Sequence, residues 1–360
     1  MRPRPALQAL RPYEPGEPAA EVRRELGIDT VVKLASNEGP YGPFPAAREA
    51  IARATPDLNR YPEAGAELRW RLAERHGVPP RRVALGSGSD GLVNLLALAF
   101  LDPGDEVVLS WPSFISHRLA AVKMGAVPVA VPLQGSSCDA DGLAAHVTPR
   151  TRLLFVCNPN NPTGGLVTRD QLGRLLDAVP ETVLVVVDEA YHEYVVDPDY
   201  PDSIAEHGER PNVCSLRTFS KIYGLAGLRI GYAVAADGVI DALGRARNAF
   251  DTTEPAHLAA LASLDDDAEL ARRRELNHEG REHLRSGLER LGLPPLPSAG
   301  NFLCIEVGDA GGLAGALRRE GVIVRPLEAF GAPRSIRVTV GTPEENQLFL
   351  TALERCLQVA

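Results

Sequence analysis

Lysine is almost missing from this chain. Of its 38 basic residues only Lys33, Lys123 and Lys221 are lysines, and arginine supplies the rest. A composition that avoids lysine so strongly keeps one where arginine cannot do the job. Arginine cannot form an imine with an aldehyde, because its guanidinium stays protonated, whereas a lysine amine can lose its proton and attack. Lys33 and Lys123 read as solvated surface charges. The case of Lys221 rests on its neighbours in SLRTFSKIYGLAGLRIGY, residues 215–232.

Other absences exclude whole classes of function. The net charge of -9 and a pI near 5.5 argue against a nucleic-acid surface, which needs a basic face, and leave room for a local anion site. The five cysteines, Cys138, Cys157, Cys214, Cys304 and Cys356, form no CxxC pair, which reads as free thiols in a reducing compartment and neither a metal site nor a disulfide frame. No apolar run is long enough to span a bilayer, and the N-terminal MRPRPALQALRPYEPG has no apolar signal core. The expectation is a cytoplasmic protein with no membrane partner. No repeat or low-complexity segment is present.

The 360 residues, 44% hydrophobic and 24% charged, suit one large and one smaller globular domain. Short apolar runs rich in β-branched residues at 82–85, 106–110, 153–157 and 183–187, with a weaker one at 213–216, alternate with amphipathic segments. That alternation predicts an α/β fold with a mainly parallel sheet. Each run ends in small, polar or reactive residues: GSGSDG, WPSF, NPNNPTG, DEAY and RTFSK. In an open parallel sheet the ligand crevice lies at that end of the strands, so five loops converge on one site.

Thr168 with Gln171, and Thr342 with Glu345, look like helix capping boxes. Residues 254–291 are helical in pattern and lead to a weaker αβ region at 301–307, 312–320 and 336–340. The division expected is a large domain at 35–240 and a small one built from 1–34 and 241–360.

GSGSDG at 86–91 satisfies GxGxxG, but the next apolar run ends in Trp111-Pro112 and not in the acid a nucleotide ribose needs. What survives is a phosphate site made by a helix N-terminus. Asp188 closes the run VLVVV, where a carboxylate needs a partner: a helix cap, an ion pair, or a proton on a pyridine nitrogen. An imine-forming lysine, a phosphate cradle, this carboxylate and Arg229 eight residues after the lysine suit one cofactor together, pyridoxal phosphate.

With SNEGPYG (36–42), RYP (60–62), PNNPTG (159–164), DEAYHEY (188–194), TFSKIYGLAGLRIGY (218–232), GVIVRP (321–326) and RVTVGTPEEN (337–346) in this order, the chain resembles the fold type I aminotransferases. Within them it is similar to the histidinol-phosphate aminotransferases over nearly its whole length. The resemblance implies that Lys221 forms the imine with the cofactor and then shuttles a proton, that Asp188 pairs with the pyridine nitrogen, and that Tyr191 and Asn161 bond the ring oxygen. It implies that Gly88, Ser89, Asp90, Thr218, Ser220 and Arg229 hold the cofactor phosphate region and that Phe114 stacks on the ring. The resemblance also implies that Tyr61 is lent to the phosphate of a neighbouring subunit, and hence a homodimer with shared sites. For the substrate, Arg337 matches a carboxylate-binding arginine, and Arg325 with Tyr13 matches groups associated with a substrate phosphate.

The chain also departs from the family pattern. Gly39 and Gly91 replace an asparagine and a glutamate, His117 lies near a position often held by tyrosine, and NAFDTTEPAH at 248–257 replaces a segment that often reads PFNV; it is expected near the pocket mouth, where the Asp251 region would change the amino donor or acceptor. The reaction expected is amino transfer between glutamate/2-oxoglutarate and histidinol phosphate/imidazole acetol phosphate, in histidine biosynthesis. An aromatic amino-acid aminotransferase and a phospho-amino-acid decarboxylase stay open on the same motifs. A non-enzymatic effector-binding module is disfavoured by the intact lysine and phosphate residues.

Overall fold

A computed structural model of the chain describes residues 1–8, 10, 16–63 and 65–359. Among these the strands are β1 (Val32–Lys33), β2 (Val83–Gly86), β3 (Glu106–Trp111), β4 (Val127–Pro132), β5 (Thr151–Cys157), β6 (Leu184–Asp188), β7 (Val213–Thr218), β8 (Gly231–Ala235), β9 (Phe302–Glu306), β10 (Val322–Ile323), β11 (Arg325–Pro326) and β12 (Ser335–Thr339). Seven of them form one sheet in the order β2-β8-β7-β6-β5-β3-β4. β8 pairs antiparallel with both neighbours, and the remaining ladders are parallel.

Residue composition explains the arrangement. β6 and β7 are buried at every position, as continuous apolar strands covered by helices on both faces must be. Helices Gly88–Phe100 and Ile115–Met124 share one core with β3, β5 and β8. Helix Arg169–Ala178 covers the other face, and its Thr168–Gln171 capping box forms as expected. The five runs read from sequence are all strands of this sheet. β4 and β8 were not among them. β4 is a mostly exposed edge strand carrying Pro128 and Pro132, and proline is tolerated only at such an edge.

A three-stranded antiparallel sheet, β11-β12-β9, is built from the C-terminal part, and the short parallel pair β1-β10 joins residues 32–33 to it. Their core joins Val32 and Leu34 to Leu284, Leu288, Leu317, Val338 and Phe349. The second capping box also forms, between Thr342 and Glu345 at the start of helix Pro343–Val359. The 254–291 pattern resolves into two helices, Glu254–Leu264 and Asp267–Arg290. The break falls where Asp266 turns its carboxylate onto the Glu269 N–H as an N-cap. Ala256, Ala259, Ala260 and Leu270 pack with Phe44, Leu68 and Tyr191, whereas Leu284 and Leu288 pack with the small sheet. One long helix therefore enters both cores. All five cysteines are free thiols, and no helix among the described residues is long and apolar enough to cross a membrane.

Candidate functional site

The ends of β2, β5, β6 and β7 meet helix starts and the small sheet around a cavity of about 110 Å³. Ser89, Phe114, Asn161, Asp188, Tyr191, Lys221 and Arg337 line it. Seven residues singled out from sequence thus come together from six separate stretches of chain. Larger hollows exist on the surface, one of about 580 Å³ between Thr30 and Arg355, but none of these reactive groups reaches it.

Asp188 ends β6 with its side chain buried. One carboxylate oxygen accepts from the Ala190 N–H at 3.2 Å, and the other lies 3.0 Å from His117 Nε2. His117 is itself buried, stacked on Phe155 at 4.4 Å and edge-on to Phe114 at 5.4 Å. Its Nδ1 has no hydrogen-bond partner among the described residues. The tautomer with the proton on Nε2 therefore suits the site, since an unpaired lone pair costs less than an unpaired N–H beside a carboxylate that can accept it.

Lys221 follows β7 and points its amine over the Tyr191 ring, 5.5 Å from the centroid, with a long 3.5 Å hydrogen bond to the Ser36 carbonyl. Burial pulls its amine down to about 8, and the nearby Arg337 charge pushes the same way. An amine so poised is a nucleophile and proton carrier near neutral pH. Tyr191 accepts from Asn37 Nδ2 at 2.8 Å, which leaves its own O–H to donate into the cavity. Burial raises that phenol above its ordinary range, so it stays protonated. Arg337 donates to Asn161 Oδ1 and, at 2.8 Å, to the Ala35 carbonyl, leaving the Asn161 amide N–H₂ as a second donor facing the cavity.

Beside these groups lies an anion cradle. β8 brings Gly231 level with Gly86 of β2 and Thr218 of β7. A Cβ on Gly231 would come within 2.8 Å of Ser89 N, so only glycine lets the first turn of helix Gly88–Phe100 approach the sheet. Gly88 has φ +73, and a Cβ there would meet Arg229 Nη2 at 2.5 Å. Arg229 is held in the left-handed region at φ 55 and donates to Ser220 Oγ at 3.3 Å, while Thr218 Oγ1 bonds the same hydroxyl at 3.0 Å. Three hydroxyls, a guanidinium and helix N–H groups are the donors that a phosphate dianion would need. Asp90 lies in the first turn of that helix.

Pyridoxal phosphate fits this set of donors: the cradle suits its phosphate, Asp188 its protonated ring nitrogen, Phe114 its ring face, Tyr191 and Asn161 its ring oxygen, and Lys221 its aldehyde carbon. The other expected residues lie apart. Tyr61 is 78% exposed and away from the cavity of its own chain. Arg325, in β11, is not part of the cavity wall, but its guanidinium lies 5.6 Å from the ring of Phe330, which is. Tyr13 lies outside the described residues. Sequence reasoning did not single out Asn37, Phe330 or the role of His117. Asn37 stood inside the quoted SNEGPYG, and its φ of 53 is a conformation asparagine tolerates better than most residues.

The same picture emerges from comparison with known proteins. The sequence profile described as "Aminotransferase class I and II" matches residues 29–353. Histidinol-phosphate aminotransferase 2 of Pseudomonas aeruginosa is 46% identical over 357 residues, covering 98% of this chain and 97% of that protein. Histidinol-phosphate aminotransferase of Caldicellulosiruptor saccharolyticus is 41% identical over 356 residues, covering 98% and 99%. The crystal structure of histidinol-phosphate aminotransferase from Sinorhizobium meliloti in complex with pyridoxal-5'-phosphate superposes with a TM-score of 0.89 at 30% identity, covering 99% of this chain and 98% of that one. With the family's profile matched from residue 29 to residue 353 and such relatives aligned end to end, the chain belongs to the class I and II aminotransferases.

Proposed function

We propose that this aminotransferase uses pyridoxal phosphate to move an amino group between L-histidinol phosphate and 2-oxoglutarate, giving imidazole acetol phosphate and L-glutamate, as a step of histidine biosynthesis. One observation carries the substrate reading. Arg325 and Arg337 are direct partners across the antiparallel β11–β12 pair, and both guanidinium centres lie 5.6 Å from the Phe330 ring centroid. Residues so paired face the same side of a sheet. The cavity thus has a buried arginine for a carboxylate and, beyond its wall, an arginine for a second anion, with an aromatic ring between them, a layout suited to a ring-bearing phosphate in one half-reaction and a dicarboxylate in the other.

When bound, the cofactor supplies an electron sink for the charge left as the substrate α-carbon loses its proton. The protein's own groups do the rest. Lys221 removes that proton and returns it, as its lowered basicity permits. Asp188, oriented by His117 and the Ala190 N–H, keeps a proton on the ring nitrogen. Tyr191 and Asn161 donate to the ring oxygen, and Ser89, Thr218, Ser220 and Arg229 anchor the phosphate. Tyr61 reaches the phosphate site of a second subunit, so the working form is a homodimer, in the cytoplasm. The separate cores support a large and a small unit, and the packing of helix Glu254–Leu264 with Phe44 and Leu68 favours a C-terminal boundary near residue 270 over one at 240.

Single-turnover spectra test the assignment. Cofactor-loaded protein mixed with L-histidinol phosphate or glutamate is expected to lose the band of the lysine-bound cofactor quickly, and with phenylalanine slowly. The reverse order makes the enzyme an aromatic aminotransferase, and release of carbon dioxide from an amino-acid phosphate makes it a decarboxylase.

A further inference from the structure

The segment NAFDTTEPAH at 248–257, expected near the pocket mouth, contributes no residue to the lining of the cavity. It lies instead against the loop that carries Tyr61. Phe250 stacks on Tyr61 with ring centroids 4.3 Å apart and planes 21° from parallel. Both rings are largely exposed, at 55% and 78%, so the pair is not held by a core around it. Phe250 has φ 57, a conformation that costs a bulky residue about 1–2 kcal/mol. A ring held outward in solvent on a strained backbone is an expensive arrangement for packing alone.

The strain is fixed by a chain of hydrogen bonds on either side. Arg247 pairs with Asp251 and donates to Thr252 Oγ1 at 3.0 Å. Thr252 Oγ1 lies 2.8 Å from His257 Nε2, and His257 Nδ1 lies 3.4 Å from Glu254. Glu254 also accepts the Glu63 N–H at 3.0 Å, two residues beyond Tyr61. Burial lowers the basicity of His257, and the neutral ring satisfies every contact: Thr252 donates to Nε2 and Nδ1–H donates to Glu254. Downstream, Gly65 at φ +63 packs so closely that a Cβ would meet Leu85 at 2.5 Å and the His257 ring at 3.1 Å. The Tyr61 loop is thus fastened at Glu63 and Gly65, and among the described residues Phe250 supplies the ring contact to Tyr61.

We infer that Phe250 is a positioning residue: it stacks on Tyr61 and aims the phenol at the cofactor phosphate held by a second copy of the chain, with the Arg247–Thr252–His257–Glu254 network as its mount. This rests on the assignment of Tyr61 to the neighbouring subunit's phosphate. On this view the unusual segment acts on cofactor retention across the dimer and not on the choice of amino donor.

The experiment is cofactor release from the holoenzyme, followed by absorbance after dilution into a scavenger, for Phe250→Leu, Phe250→Gly, Phe250→Tyr and Tyr61→Phe, with melting temperature and sedimentation measured on each. An aromatic pair of this kind supports a change of roughly three- to tenfold. Phe250→Leu and Phe250→Gly are expected to release cofactor faster by that factor, and Phe250→Tyr to restore the original rate. Phe250→Gly is expected to do so without a lower melting temperature, because glycine relieves the φ of 57. Faster release from Tyr61→Phe with unchanged release from both ring-deleted Phe250 variants overturns the inference and leaves the Tyr61 assignment standing. Unchanged release from Tyr61→Phe as well overturns both. If release from the Phe250 variants merely follows a weakened dimer, the ring is interface packing and the positioning role is wrong.

Discussion

His117 Nε2 lies 3.0 Å from a carboxylate oxygen of Asp188, with both side chains buried beneath the cavity. The histidine fixes the Asp188 carboxylate, while its flat face packs on Phe155. His117→Phe keeps the stack and removes the hydrogen bond. A hydrogen bond to a charged group is worth about 1.5–3 kcal/mol, so kcat is expected to fall roughly ten- to hundredfold, and the buried carboxylate oxygen left without its donor is expected to cost about 1–3 kcal/mol of stability. Asp188→Asn removes the charge itself and is expected to cost about a hundred- to a thousandfold. Equal effects from the two variants in single-turnover kinetics would show that His117 does more than orient.

The lowered basicity of Lys221 has a stability consequence of definite sign. Between about 8, its value in the fold, and 10.5, its ordinary value, the unfolded chain binds more protons than the folded one, so the stability of the cofactor-free protein rises with pH through that window. Below it the buried cation is a net cost. Lys221→Met is therefore expected to stabilise the cofactor-free protein at pH 7 by about 2 kcal/mol, less than the full shift because the amine keeps contact with the cavity. Denaturant titrations at pH 7 and pH 10 check this: the advantage of the variant should shrink at the higher pH.

Arg325 and Arg337 should separate the two halves of the substrate pocket. Arg325→Ala is expected to lower kcat/KM for histidinol phosphate by about ten- to hundredfold, the range for a charge-assisted contact, and to change phenylalanine by about threefold or less. Arg337→Ala is expected to harm every substrate, because Arg337 also fixes Asn161 and the Ala35 carbonyl. Similar losses for phosphorylated and unphosphorylated substrates in Arg325→Ala would remove the phosphate role.

Beneath the site, Arg217 of β7 donates to Glu189 at 3.0 Å and to Asp202 at 2.7 Å, and both Arg217 and Glu189 are buried. Arg217→Met strands the Glu189 carboxylate and is expected to cost about 3–5 kcal/mol, whereas the double variant with Glu189→Leu should recover much of it. Urea unfolding of the three proteins measures the coupling. No recovery in the double variant means that the Arg217 contact with Asp202 carries the stability.

The parts of the site legible in the sequence are those where one stretch of chain carries both a fold signal and a reactive group. VLVVVD announces a buried strand and its terminal carboxylate together, and FSK ends a strand in the same way. What stayed hidden depends on pairing between distant stretches. His117 and Asp188 are 71 residues apart, and nothing in ISHRLAAV marks its third residue as facing a carboxylate. The level placement of Arg325 and Arg337 is a matter of register, which a strand of two residues cannot declare. β8 is five residues long, and its composition says nothing of its reversed direction.

That reversed strand sets an order of assembly. Because β8 runs back along β7, Thr218 and Gly231 are ladder partners, and the lysine and the phosphate-binding arginine ride on one hairpin loop closed by adjacent strands. Such a loop closes at small entropic cost, while Arg337, more than a hundred residues away, arrives only when the small sheet docks. Contacts near in sequence form sooner than distant ones. The share of the cofactor anchor on that hairpin, Thr218, Ser220, Lys221 and Arg229, is therefore local and expected early, whereas Ser89 and Arg337 come from distant chain and are expected late.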